Sequence, residues 1–205
     1  MKKILATTIA LCSIQTIPFA YASEELALAK AQNKVEVEKL ILEKQAKGQI
    51  KTLGMALKST LQHGMKASGA AASVSLCNIQ APAITQASSA EKNGTDWTVT
   101  RTSLNIRNPG NKPSSWIESV LHDFDERKKQ GEDVSSISHS EVRDGQFYFV
   151  KAIPTEAGCL ACHGSQVSSE VKAKLSELYP NDSATGYNIG EIRGAFIASK
   201  PYTSK

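Results

Sequence analysis

Five consecutive residues, Cys159-Leu160-Ala161-Cys162-His163, have the types and spacing to do chemistry. Two thiols with a two-residue spacer can each add to one of the two vinyl groups of a haem as a thioether, and the next residue then falls beneath the iron. A neutral imidazole at that place is a proximal ligand, so His163 is read as the iron ligand and Cys159 and Cys162 as the points of attachment. Gly158 and Gly164 flank the motif and leave the backbone free to pass close to a porphyrin.

Other uses of a cysteine pair compete with this one. A structural zinc site needs a second Cys or His pair at ligand spacing, and the rest of the mature chain offers only the scattered Cys77, His63, His122 and His139. A thioredoxin-type pair belongs early in a βαβ pattern, whereas this pair lies late, after two strand-like runs. A plain disulfide stays open.

The start of the chain bears on the choice. Met1-Lys2-Lys3 is a positive n-region, Ile4 to Cys12 is apolar, and Ala20-Tyr21-Ala22 is an A-x-A cleavage site before Ser23-Glu24-Glu25. Residues 1–22 therefore read as a secretory signal peptide. Cys12 is discarded with it, because Leu11 stands where a lipid-modified cysteine has a small residue. No other stretch approaches the roughly 18 consecutive apolar residues of a membrane span, so the mature chain is expected to be soluble, in a bacterial periplasm. Losing Lys2 and Lys3 leaves 22 basic against 20 acidic residues, a net +2. That balance gives no reason to invoke nucleic acid or an anionic membrane, and length and composition fit one domain over 23–205.

The elements that must position the motif can be read in order. From about 23 to 66 the chain is rich in Ala, Leu, Glu, Lys and Gln and free of proline, which predicts a long N-terminal helical segment, with Gly48 as a point of division. Ile50, Leu53, Leu57, Leu61 and Met65 fall on one stripe of it. Ser68-Gly69-Ala70 interrupts the pattern. A second helical run follows, with Val74, Cys77, Ala81 and Ile84 on its inner face and a bend or stop expected at Ala81-Pro82. Ser88 to Thr95 reads as a loop and Trp97 to Leu104 as a strand.

Ser115 with Glu118 is a capping box, opening a helix with the stripe Trp116, Val120, Leu121 and Phe124 that stops at Gly131. Asp144-Gly145 joins a hairpin of Ser136 to Arg143 and Gln146 to Ile153. The second hairpin strand is apolar on both faces, as expected of a central strand, and Pro154 ends it. A helix from Ser168 to Leu178 and a last strand from Glu191 to Ser199 complete an α+β order built on an antiparallel sheet.

A six-coordinate haem needs a second axial ligand, and the mature chain offers Cys77, His63, His122, His139, Met55 and Met65. Cys77 stands out as the odd cysteine of an exported chain, facing the core. Its alternative is a buried, inert thiol. Arg101, Arg107 and Arg193 are candidate partners for the haem propionates. Asn108 and Asn111 are read as holding their own loop.

Taken together, Cys77 with Ala81-Pro82, Arg101-Thr102-Ser103, the loop Arg107 to Pro113, Cys159 to Gly164 and Gly190-Glu191-Ile192-Arg193-Gly194 resemble a bacterial family of monohaem c-type proteins. That family has a PAS-like fold and was long catalogued as a domain of unknown function. It occurs as exported proteins and as the sensory part of histidine kinases. The resemblance implies His163 as proximal and Cys77 as distal ligand of one covalent haem c, in a PAS-like antiparallel sheet with flanking helices, and Arg101 and Arg107 lie in the resembling stretches as the favoured propionate partners. The function expected is single-electron transfer with a redox partner protein, not catalysis, since no distal acid/base pair is legible. The rival is a haem-based sensor that responds to redox state or to a small diatomic gas through a signalling partner.

Overall fold

The computed structural model describes residues 19–203. The expected signal peptide covers 1–22, and its first 18 residues lie outside the described residues. Four antiparallel strands form one sheet in the order β1-β4-β3-β2, with β1 Thr98–Thr102, β2 Ser138–Arg143, β3 Gln146–Pro154 and β4 Ile192–Pro201. The fold is α+β, as the element order requires.

The hairpin forms where its turn chemistry puts it. Asp144 and Gly145 take φ of 50° and 71°, and Arg143 pairs with Gln146 across them. Both central residues are left-handed, the requirement of a type I′ turn, which glycine meets without strain and aspartate tolerates. Beyond it β3 is buried on both faces because each face has a different cover. Phe147 and Phe149 join Ala46, Ile50, Leu53, Trp97, Val99 and Ala198 in one cluster. Val150 and Ala152 point the other way, onto Ile117, Val120, Leu121 and Phe124 of a helix spanning Ser115–Lys129. Side chains alternate across a strand, so the odd-numbered set meets one helix and the even-numbered set the other. Phe124 and Phe149 are at most 1% exposed, and each contributes about 1.5–3 kcal/mol by burial.

The N-terminal helix, α1, runs over Phe19–Ala87. The chain divides into two compact units between Ile41 and Leu42. The first is helix whose large apolar residues Leu26, Leu28, Val35, Val37, Leu40 and Ile41 are exposed. The second holds the sheet and everything described below. Within it, Gly69 breaks the helix with φ 77° and ψ −177°. A Cβ on Gly64 would stand 2.5 Å from Leu76 Cδ2 and 3.1 Å from Ser73 Oγ. Residues 12 apart on a straight helix are about 18 Å apart, so the chain folds back sharply at Gly69 and Gly64 lets the two arms touch. Ile84, near the end of the returning arm, packs on the cluster that holds Ile50.

Four local readings are corrected. Gly48 does not divide α1, because nothing displaces the helix there. Pro82 lies inside the returning arm without ending it, flanked by buried Ala81 and by Ile84, whose packing holds the helix on either side. The helix at Ser115 starts with Ser114 as its N-cap, and that cap makes no side-chain bond, so the Ser115/Glu118 capping box does not form. The stretch read as a loop before β1 contains one helical turn, α2, Ala90–Asn93. The helix from Ser115 is α3, and its stop is as expected, with Gly131 at φ 94°.

Candidate functional site

The cysteine–histidine motif occupies a single helical turn, α4, Leu160–His163, entered through a tight turn at Ala157–Cys159. Gly164 closes it. A Cβ there would lie 2.7 Å from the Leu160 carbonyl oxygen, a backbone atom that cannot move aside while Gly164 N donates to it. The turn is stitched to the segment 184–187. Tyr187 N donates to His163 O and Gly186 N to Gly164 O, at 2.9 and 3.1 Å. Cys77, Cys159 and Cys162 are all free thiols and partly buried.

His163 is held through one ring nitrogen. Its Nδ1 is 2.7 Å from the Ala184 carbonyl oxygen, and Arg193 Nε is 3.2 Å from the same atom. A carbonyl has no proton to give, so the shorter contact assigns the proton to Nδ1, and Nε2 is left with a free lone pair. Burial first, and then the charges of Arg193 and Arg107, push the imidazole pKa down to about 3, so the ring is neutral at ordinary pH. This is the state of a metal-ligating histidine whose second nitrogen is fixed by a backbone carbonyl.

Arg107 braces the turn from the far side of the chain. Its Nη2 donates to Cys162 O at 2.6 Å and to Asp182 Oδ2 at 3.0 Å, and Nε donates to the same carboxylate oxygen at 3.2 Å. Asp182 also accepts from Ala184 N at 2.9 Å, which fixes the carbonyl that orients His163. Arg107 and Asp182 are only 13% and 9% exposed, so the pair is held in a poorly solvated place.

The opposite wall comes from the returning arm of α1. Val74 packs with Val167, Val171 and Leu175, the last two on α5, Ser169–Leu178, and Cys162 and Tyr179 lie against the same cluster. Cys77 is three residues beyond Val74, hence on the same helix face. Burial pushes the Cys77 thiol up, against the pull of Arg101 and Arg107. Cys162 is raised chiefly by burial too, opposed by Arg107 and assisted by Cys77. The two sulfurs are thus within electrostatic reach. The other candidates for a distal ligand differ in their surroundings. His63, His122 and Met55 are exposed, Met65 is half-buried, and His139 Nε2 is 3.1 Å from Glu141 Oε2.

Arg101, on β1 opposite Phe196 of β4, is mostly buried, and its Nε has no hydrogen-bond partner among the described residues. Burial lowers its pKa, with only the Cys77 thiol and the Tyr179 phenol acting the other way. A buried cation with no carboxylate is an incomplete arrangement, and an anionic group of a bound cofactor would complete it. Among the described residues, no three Cys, His, Asp or Glu side chains converge on one ion position.

Sequence reasoning missed Asp182, Ala184 and the importance of Arg193. Asp182 bonding back to Ala184 two residues on is an Asx-type turn, the one local signal that marks it.

A family model described as Tll0287-like matches residues 22–201, most of the chain and all of this site. The chain belongs to the Tll0287-like family. No curated protein matches it. Among solved structures, the crystal structure of the cyanobacterial haem protein Tll0287 superposes with a TM-score of 0.55 at 22% identity, covering 83% of this chain and 97% of that one. At that identity the likeness speaks for the fold. Among the described residues no helix is long and apolar enough to cross a membrane.

Proposed function

We propose that the chain is an exported, covalently haem-loaded redox protein that accepts and donates single electrons. The observation that carries this reading is His163, with Nδ1 committed to Ala184 and Nε2 free, one residue after a cysteine pair in a single helical turn. The family match and the haem named for the solved relative support it. When bound, the haem supplies a one-electron iron couple.

The residues of the chain divide the remaining work. Cys159 and Cys162 hold the group by thioethers, and His163 Nε2 is the proximal ligand. Cys77, carried by the arm that returns from Gly69, is the distal ligand, its thiolate favouring the ferric state. Arg101, whose buried Nε has no partner among the described residues, takes a propionate carboxylate. Arg107, which sequence alone sets beside it in that role, is committed to Asp182 and two carbonyls, and we assign it to holding the turn. Charge near neutrality suits a protein partner met through a local patch, in the periplasm, after removal of residues 1–22.

The test is to reduce the purified protein and expose it to carbon monoxide. A carrier keeps both axial ligands in both oxidation states, so the ferrous spectrum stays six-coordinate and low-spin and carbon monoxide binds slowly or not at all. Rapid binding with loss of the Cys77 signature would replace the carrier by a sensor.

A further inference from the structure

Arg193 has an unusual place for a cation. It lies on β4 with Nε 3.2 Å from His163 Nδ1, while Nη1 donates to Ser103 Oγ at 3.1 Å and to Asn105 O at 3.4 Å. Its guanidinium stacks 5.2 Å from the Tyr187 ring centroid, and Tyr187 in turn meets the His163 ring edge-to-face at 6.4 Å. Ser103 Oγ also donates back to Arg193 O at 2.8 Å, fixing the backbone that carries the side chain. None of these partners is a carboxylate. Asp182, the carboxylate whose field reaches it, is bonded to Arg107. Because Nδ1 keeps its proton for Ala184, it has no lone pair to offer Arg193, and the buried guanidinium, offset only by the Tyr187 phenol and the field of Asp182, stands beside the ring.

We propose that Arg193 is a positioning residue for the proximal ligand, one that raises the reduction potential of the site by holding a fixed positive charge against the far edge of His163. The inference rests on the haem reading above. Arg193 meets the ring at Nδ1 and leaves Nε2 clear, so it would act on the iron through the imidazole. Its effect has a definite sign. A fixed cation disfavours the more positive ferric state, and it also draws electron density from the imidazole, so both effects favour the ferrous state. Arginine suits the task because it stays charged and its planar fork can be aimed by Ser103 and Asn105 while one face rests on Tyr187. The thiolate proposed on the other side pulls the potential down, and Arg193 opposes it.

The experiment is a redox titration of the exported, haem-loaded protein and its R193Q, R193K and S103A variants, with the ferric spectrum recorded for each. R193Q is expected to keep the wild-type ferric spectrum and to lose at least tenfold in the ferrous-to-ferric ratio at fixed poise, a downward shift of about 59 mV for one electron. R193K, which keeps the charge, is expected to recover at least half of that shift. S103A, which removes the hydroxyl that aims the guanidinium, is expected to shift the same way by at least threefold. A change below threefold in R193Q, an upward shift, or an R193K shift as large as that of R193Q would overturn the inference while leaving the haem reading intact. If R193Q is not recovered folded, S103A decides by the same threefold line. Wild-type protein with no haem would overturn the proposed function, and the inference with it.

Discussion

Replacing Arg107 by alanine should be far more damaging than the loss of an ordinary surface ion pair. The guanidinium makes two contacts with Asp182 Oδ2, at 3.2 and 3.0 Å, and donates to Cys162 O and Ala184 O at 2.6 and 3.4 Å. Side-chain exposures of 13% and 9% leave little water to take its place. Exposed pairs are worth about 0–1 kcal/mol, but removing one partner of a buried pair costs about 3–5 kcal/mol because the other charge is left stranded. Set against a total stability of about 5–15 kcal/mol, that is a large fraction. For a domain of this size it lowers the unfolding midpoint by roughly 6–20 °C. Urea unfolding at fixed salt, followed by circular dichroism, measures it. The R107A/D182A double variant should cost less than the sum of the single ones, with a coupling of about 0.5–3 kcal/mol. A loss under about 1 kcal/mol for R107A, or strict additivity in the double variant, would refute the assignment of Arg107 as the brace of the motif.

Three further outcomes follow from the site. Cys77→Ser should change the low-spin ferric spectrum and raise the potential, since thiolate is lost; an unaltered spectrum would hand the distal position to another side chain, with Met65 and His63 tested next. Gly164→Ala should cost about 1–3 kcal/mol in thermal unfolding and lower haem incorporation, because its Cβ would meet the Leu160 carbonyl at 2.7 Å, and a wild-type midpoint would contradict that packing. In protein made without haem, His163 stays neutral down to about pH 3 when folded but titrates near pH 6.5 when unfolded. The unfolded chain then binds one more proton between those values. Stability should therefore be lost as the pH is lowered from about 6.5 toward 3, by at most about 1.4 kcal/mol per unit, and His163→Asn should flatten this part of the curve.

What could be read in the sequence was whatever is decided within a few residues. Asp144-Gly145 specifies its turn through two φ angles, the apolar run of β3 announces a strand covered on both faces, and the Cys159 to His163 spacing is itself the chemical signal. Gly69 was visible as an interruption. That the chain folds back there was not, because it depends on Gly64 meeting Ser73 and Leu76, a contact made only once the arms are packed. Pro82 misled for a related reason: its local cost is met by the packing of Ala81 and Ile84, which no local rule sees. The arginines show the limit most clearly. Arg101, Arg107 and Arg193 look alike in sequence, yet one is buried with an unpartnered Nε, one is spent on Asp182 75 residues away, and one lies against His163 30 residues away. Those pairings belong to the tertiary fold, which sets the distance between loops that sequence cannot order.

The central claim is that Cys159 and Cys162 carry a haem and His163 takes its iron. Intact-mass spectrometry of the exported protein under denaturing conditions, followed by mapping of the peptide that contains residues 158–164, tests it directly. The account predicts a chain beginning at Ser23 whose mass is increased by that of one haem, with the increment confined to that peptide and absent from the C159A/C162A variant. An unmodified mass from cells that mature c-type haem proteins, or haem that separates from the chain on denaturation, would contradict it.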